Sequence, residues 1–163
     1  MMERKTIFVI AEKEESVLID RLFPNAMPEG AELLVTGVGA INVLRSLGSI
    51  DRSTHLINVG YAGSANFAIG TWVRVTESLL HHPNFKYPEP CLPLQVPAAL
   101  PAVEMIEAPC YSGVDFVLQS PFKDCVFDME LAFIMAMGFQ NVESYKYVSD
   151  NLSLHEYREV FNS

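Results

Sequence analysis

The stretch His55-Leu56-Ile57-Asn58-Val59-Gly60-Tyr61-Ala62-Gly63-Ser64 decides the class of fold. Its first half, residues 55–59, is a short apolar run that reads as a buried strand, and Gly60 and Gly63 read as a turn that ends it. Similar runs recur on both sides. Residues 6–11, 32–36 and 72–76 read as strands, and 114–118 is compatible with one. Residues 126–128 read as a strand end, and 145–149 as a strand that delivers Asp150 to its carboxyl edge. Between them lie helical patterns. Residues 14–22 carry Val17, Leu18 and Leu22 and are broken by Pro24 and Pro28. Residues 40–47 form a second helix, and 130–137 a third that Gly138 stops. Strands alternating with helices imply an α/β domain. In open α/β sheets ligands bind beyond the carboxyl ends of the strands. Gly37, Gly60, Glu130 and Asp150 each follow a predicted strand, which points to one shared site.

Bulk properties narrow the function. The chain has 163 residues, half of them hydrophobic, enough for a single domain (1–163) with a real core. The net charge of −9 and the lack of a Lys/Arg cluster argue against a nucleic-acid partner; the acidity is read as solubility. Cys91, Cys110 and Cys125 are odd in number and have no CxxC spacing. A disulfide framework or zinc site is therefore not expected, and a reducing cytoplasm fits. The N-terminal apolar run soon meets Glu12-Lys13-Glu14-Glu15, so it reads as a first strand, not a membrane span. Seven prolines between His81 and Pro109 exclude long regular elements there and suggest a wrapping loop or lid.

Individual motifs admit two readings each. Gly37-Val38-Gly39-Ala40-Ile41-Asn42 half-resembles a dinucleotide fingerprint, but Asn42 replaces the third glycine and residues 52–56 hold no acidic partner. A tight strand-to-helix turn whose amides face a ligand fits better. Gly60 to Gly63 is either a plain turn or backbone approaching a ligand. Glu130 is either a helix-dipole partner or a carboxylate that accepts two hydrogen bonds from a vicinal diol. Asp128 competes with it for the capping role. Asp150 is either an Asx-turn residue or an acid. Glu12, Glu14 and Glu15 are either a solvated first turn or the source of a water-activating base.

Taken in order, these motifs resemble the nucleoside phosphorylase and methylthioadenosine/S-adenosylhomocysteine nucleosidase superfamily, from Ile7 to about Ser153. The first strand and acidic turn match Ile7 to Val17. The glycine turns match residues 36–39 and 58–63, the latter followed by Gly70-Thr71-Trp72-Val73. The base-binding segment matches residues 112–117, the methionine-glutamate motif Met129-Glu130, and the serine-aspartate motif Ser149-Asp150. The resemblance implies an α/β/α three-layer sandwich around a twisted mixed sheet. It implies that Glu130 binds the ribose hydroxyls, Met129 packs on the sugar, Phe116 stacks on the purine and the Val117 backbone bonds the base. Tyr61, Ala62, Gly63 and Ser149 complete the substrate site, and Asp150 protonates purine N7.

This chemistry suits the residues. N-glycosidic cleavage builds positive charge on the ribose and negative charge on the leaving base. A carboxylic acid with a raised pKa can protonate that base. Three departures stand out. An ungapped alignment of the opening strand puts Ser16 where nucleosidases keep their base, and a one-residue shift brings Glu15 there. The chain is shorter than typical members. Ser153 replaces a second acidic residue after Asp150. The nearest candidates for phosphate-holding cations, Arg21 and Arg45, lie in no phosphate motif, and Tyr61 would narrow a phosphate pocket. The reading is therefore a cytoplasmic purine nucleosidase with Asp150 as acid and Glu15 as base. It acts on methylthioadenosine, S-adenosylhomocysteine or a related nucleoside, without metal or cofactor, without membrane, and as a homodimer or higher oligomer. The alternatives are a phosphate-dependent nucleoside phosphorylase and a catalytically weak nucleoside-binding protein.

Overall fold

A computed structural model of the protein describes residues 5–24, 30–81, 92–94 and 101–162. Strand β1 (Thr6–Ile10) leads through a single 3-10 turn (Lys13–Glu15) into helix α1 (Ser16–Leu22). Then follow β2 (Glu32–Val35), α2 (Ala40–Leu47), β3 (His55–Gly63), β4 (Trp72–Leu80), β5 (Leu92–Pro93) and β6 (Ile106–Ser112). The chain ends with β7 (Val126–Asp128), α3 (Leu131–Ala136), β8 (Asn141–Asp150) and α4 (Leu154–Glu159).

The sheet is mixed. β1 lies parallel between β2 and β3, and β3 runs parallel to β8 over its whole length. β8 pairs antiparallel with β4, β4 parallel with β6, β6 parallel with β7, and β7 antiparallel with β3 at Gly63. The last five pairings form a ring, so the sheet closes into a small barrel, whereas the sequence reading expects layers around a twisted sheet. The length of β3 is the reason. β8 takes one edge of it; on the other, β1 uses residues 55–58 and β7 uses Gly63.

Strand alternation divides the core. Ile7 and Val9 face one cluster with Val43 and Leu47 of α2 and with Leu131 and Ile134 of α3. Phe8 and Ile10 face another with Leu18, Ile19 and Leu22 of α1, Trp72 and Tyr145. β1 is thus covered on both sides, which is why its sequence is continuously apolar.

Several expected elements differ. Gly60 to Gly63 is not a turn: β3 continues through it, because β8 supplies ladder partners up to Asp150. Residues 114–118 are not a strand; Val114 is 71% and Leu118 58% exposed. The strand of that region is β6, which accommodates Pro109 where its register with β4 shifts, between Ala108 and Cys110. Proline removes a ladder donor and is tolerated at such an irregularity. The other expected helices and strands are present within a few residues. Most of the proline-rich segment, 82–91 and 95–100, lies outside the described residues.

Candidate active site

A cavity of about 210 Å³ opens at the carboxyl ends of β1, β3, β7 and β8. Ala11, Glu12 and Glu15 reach it from the turn after β1, Val38 from the turn after β2, and Tyr61, Ala62 and Gly63 from the end of β3. Phe116 and Val117 follow β6, Phe127 to Glu130 come from β7 and its turn, and Asp150 and Tyr157 complete the wall. Of the residues expected at the site, only Ser149 is not in the lining. It stands behind it and donates its hydroxyl to Asp150 Oδ1 at 2.7 Å.

Glu15 is 6% exposed. The 3-10 turn folds its carboxylate back over the end of β1, where Oε1 accepts the Ala11 and Glu12 amides at 3.0 and 2.9 Å. Oε2 accepts the Tyr61 amide at 2.7 Å. Burial pushes its pKa up against these bonds and against the nearby Lys146 ammonium. A Cβ on Gly60 would stand 2.5 Å from Oε2, so this carboxylate fits only over glycine. Ser16, by contrast, opens α1 and does not line the cavity.

Asp150 is fully buried at the last position of β8. Its Oδ2 accepts the amides of Leu152 and Ser153 at 3.0 and 3.3 Å, which is the expected Asx-turn. The helix cap is a different residue: Ser153 accepts the Glu156 amide and starts α4. Asp150 therefore makes the turn and faces the cavity at once. Burial raises its pKa above the ordinary aspartate value, and the Glu156 charge adds to this; the Ser149 hydroxyl and the two amides act against it.

Asp128 and Glu130 divide the roles left open by the sequence. Asp128 Oδ2 accepts the free Leu131 amide of α3 at 2.9 Å and pairs with Lys146 Nζ at 3.0 Å, both side chains being buried. Ser112 donates to its other oxygen. Burial disfavours its charge, but Lys146 and these donors outweigh burial and hold the carboxyl below its usual range. Because Asp128 serves the helix, Glu130 is free to turn away from it, and its Oε2 accepts the Gly39 amide at 2.9 Å. Gly39 has φ +90°, a conformation that favours glycine. Burial, then the Asp128 charge, pushes the Glu130 carboxyl up to about 8.

Sequence reasoning misses Tyr157, which lines the cavity, and Lys146, which stands behind it, and offers Glu12 only as one possible source of the base. Tyr157 follows the N-cap Ser153 by one helical turn, and Lys146 is a lone cation within an apolar strand; both patterns were visible. The two arginines considered as phosphate ligands do not line the cavity. Arg21 lies over the Trp72 and Tyr147 rings, and Arg45 is exposed on α2.

No protein-family model matches the sequence, and no curated protein matches it significantly. Solved structures do match. An MTAN from Chlamydia trachomatis superposes with a TM-score of 0.73 at 20% identity, over 99% of this chain and 89% of that one. A variant of the Helicobacter pylori MTAN with 5′-methylthioadenosine in its active site gives 0.72 at 18% identity, over 97% and 91%. The Chlamydia enzyme bound to adenine gives 0.72 at 18%, over 98% and 89%. The H. pylori protein is named in full a 5′-methylthioadenosine/S-adenosylhomocysteine nucleosidase. The chain has the fold of these structures.

Proposed function

We propose that the chain is a purine nucleosidase that hydrolyses the N-glycosidic bond of methylthioadenosine, S-adenosylhomocysteine or a related nucleoside. The observation that carries this reading is the convergence of three carboxyl groups with raised pKa values, Glu15, Glu130 and Asp150, on one cavity at the strand ends. Fold neighbours that bind methylthioadenosine and adenine support the choice of substrate.

In this mechanism Glu15 takes a proton from water as the oxygen bonds to C1′. The C1′–N9 bond breaks, its electron pair passes to the base, and Asp150 gives its proton to N7. The products are the free purine and the ribose sugar. Phe116 stacks on the purine, the Val117 backbone bonds its edge, and Met129 packs on the sugar. Glu130 accepts the diol hydroxyls, which replace lost solvation and favour its ionised form. Hydrolysis is preferred over phosphorolysis because no Lys or Arg lines the cavity among the described residues, whereas phosphate binding needs cationic donors. Measuring adenine release from methylthioadenosine with and without phosphate tests the choice; release only with phosphate would refute it.

We place residues 1–163 in one domain, whose helices on both faces of β1 support a three-layer arrangement at that end of the sheet. No described helix is long and apolar enough to cross a membrane. The buried free thiols of Cys110 and Cys125 fit a cytoplasmic setting. A homodimer is favoured by the edge strand β2 and helix α2, which expose Leu33, Val35, Ile41 and Leu44.

A further inference from the structure

Glu12 is a cavity carboxylate with no role in the reaction above. Asp128 also takes no direct part, but Lys146 neutralises it. Glu12 has no such partner: no ion pair to it is found among the described residues. Its Oε2 accepts the Tyr157 hydroxyl at 3.3 Å, longer than an ordinary O–H···O bond. Both residues are half-buried and both line the cavity. The Tyr157 ring is fixed against Phe116 and Phe161, with centroids 5.3 and 5.1 Å away. Tyr157 is thus a rigid donor holding one oxygen of a carboxylate that retains acceptor capacity towards the cavity.

Within the nucleosidase reading, on which this inference rests, the other parts of a purine nucleoside already have partners. The base has Phe116, Val117 and Asp150, the diol has Glu130, and the attacking water has Glu15. The 5′ arm is what remains for Glu12. We propose that Glu12, oriented by Tyr157, lies at the 5′ end of the site and makes a nucleoside whose 5′ substituent donates a hydrogen bond, a hydroxyl or an ammonium, bind more tightly than methylthioadenosine, which the site still takes. A thioether sulfur donates nothing and would cover the Glu12 carboxylate without giving it a second donor. A site built around a donor binds the analogue that lacks it more weakly.

The test measures binding and turnover separately. 5′-Amino-5′-deoxyadenosine, adenosine and methylthioadenosine are titrated calorimetrically into an Asp150→Asn variant, with and without Glu12→Leu. Adenine release is followed for the same ligands with Asp150 intact. The amino nucleoside should bind at least about tenfold more tightly than the methylthio nucleoside, and Glu12→Leu should reverse that order. Tyr157→Phe, which keeps the ring, should reduce the preference only a few-fold. Thermal melting checks that each variant is folded, and Glu12→Gln, close in shape, repeats the test if Glu12→Leu is not. A preference unchanged by removing the Glu12 carboxylate overturns the proposal, as does failure of all three ligands to bind. A preference that follows Glu12 without any adenine release supports it while refuting the nucleosidase reading.

Discussion

Strand β3 receives a carboxylate at each of two glycines, Glu15 at Gly60 and Asp150 at Gly63, and the two places differ in their surroundings. At both, an added Cβ would crowd an oxygen, at 2.5 Å for Glu15 and 2.8 Å for Asp150. At both, burial raises the pKa, and hydrogen-bond donors oppose it. The neighbouring charges have opposite signs. Glu15 feels the Lys146 cation, which favours its ionised form; Asp150 feels the Glu156 anion, which favours its protonated form. Of two buried carboxyl groups set against one strand, the neighbouring charge thus favours the ionised form at Glu15 and the protonated form at Asp150. This difference in neighbouring charge suits the proposed roles of Glu15 as proton acceptor and Asp150 as donor.

Removing either carboxyl group should have the largest effect. Asp150→Asn and Glu15→Gln should each lower adenine release by about 10²–10⁴-fold, the usual worth of a placed acid or base. Nucleoside binding, measured by calorimetry, should survive in both. Next comes Lys146→Met, which leaves Asp128 buried without its counter-ion. Unfolding in urea should show a loss of about 3–5 kcal/mol. In the folded variant the low-pH limb of activity should move upwards, because Glu15 loses a cation that favours its ionised form. Gly60→Ala and Gly63→Ala sharpen the comparison further. Each displaces one carboxylate, and displacement of a reacting group by about 1 Å costs on the order of 10²-fold. The Gly60 variant should alter the low-pH limb of the rate profile and the Gly63 variant the high-pH limb.

A smaller effect concerns Glu130, whose folded pKa of about 8 lies above its ordinary value of 4.5. The folded protein therefore binds a proton that the unfolded chain has released. Its contribution is fully present below the unfolded pKa and is lost as pH rises through about 8. Stability of the ligand-free protein should fall over that window, and Glu130→Gln should flatten the fall in melts taken at successive pH values.

Much of this arrangement was legible in the sequence. The strands β1 and β3, helix α2 and the positions of Glu130 and Asp150 after strands follow from apolar runs and their boundaries. What failed did so for tertiary reasons. Gly60 and Gly63 look like turn residues because glycine usually marks backbone freedom, yet neither has positive φ, and each serves to admit a carboxylate. The barrel closure depends on one edge of β3 being shared by β1 and β7, which no local pattern encodes. The ungapped alignment favoured Ser16, but the 3-10 turn before α1 aims Glu15 at the cavity. Tyr157 and Glu12 lie 145 positions apart and meet only in the fold.

The most direct test of the account is the pH dependence of adenine release from methylthioadenosine in phosphate-free buffer. The account predicts release without phosphate and a bell-shaped profile, whose low-pH limb disappears in Glu15→Gln and whose high-pH limb shifts downwards in Glu156→Gln. A strict requirement for phosphate, or limbs indifferent to both substitutions, would contradict the assignment of Glu15 and Asp150 as base and acid.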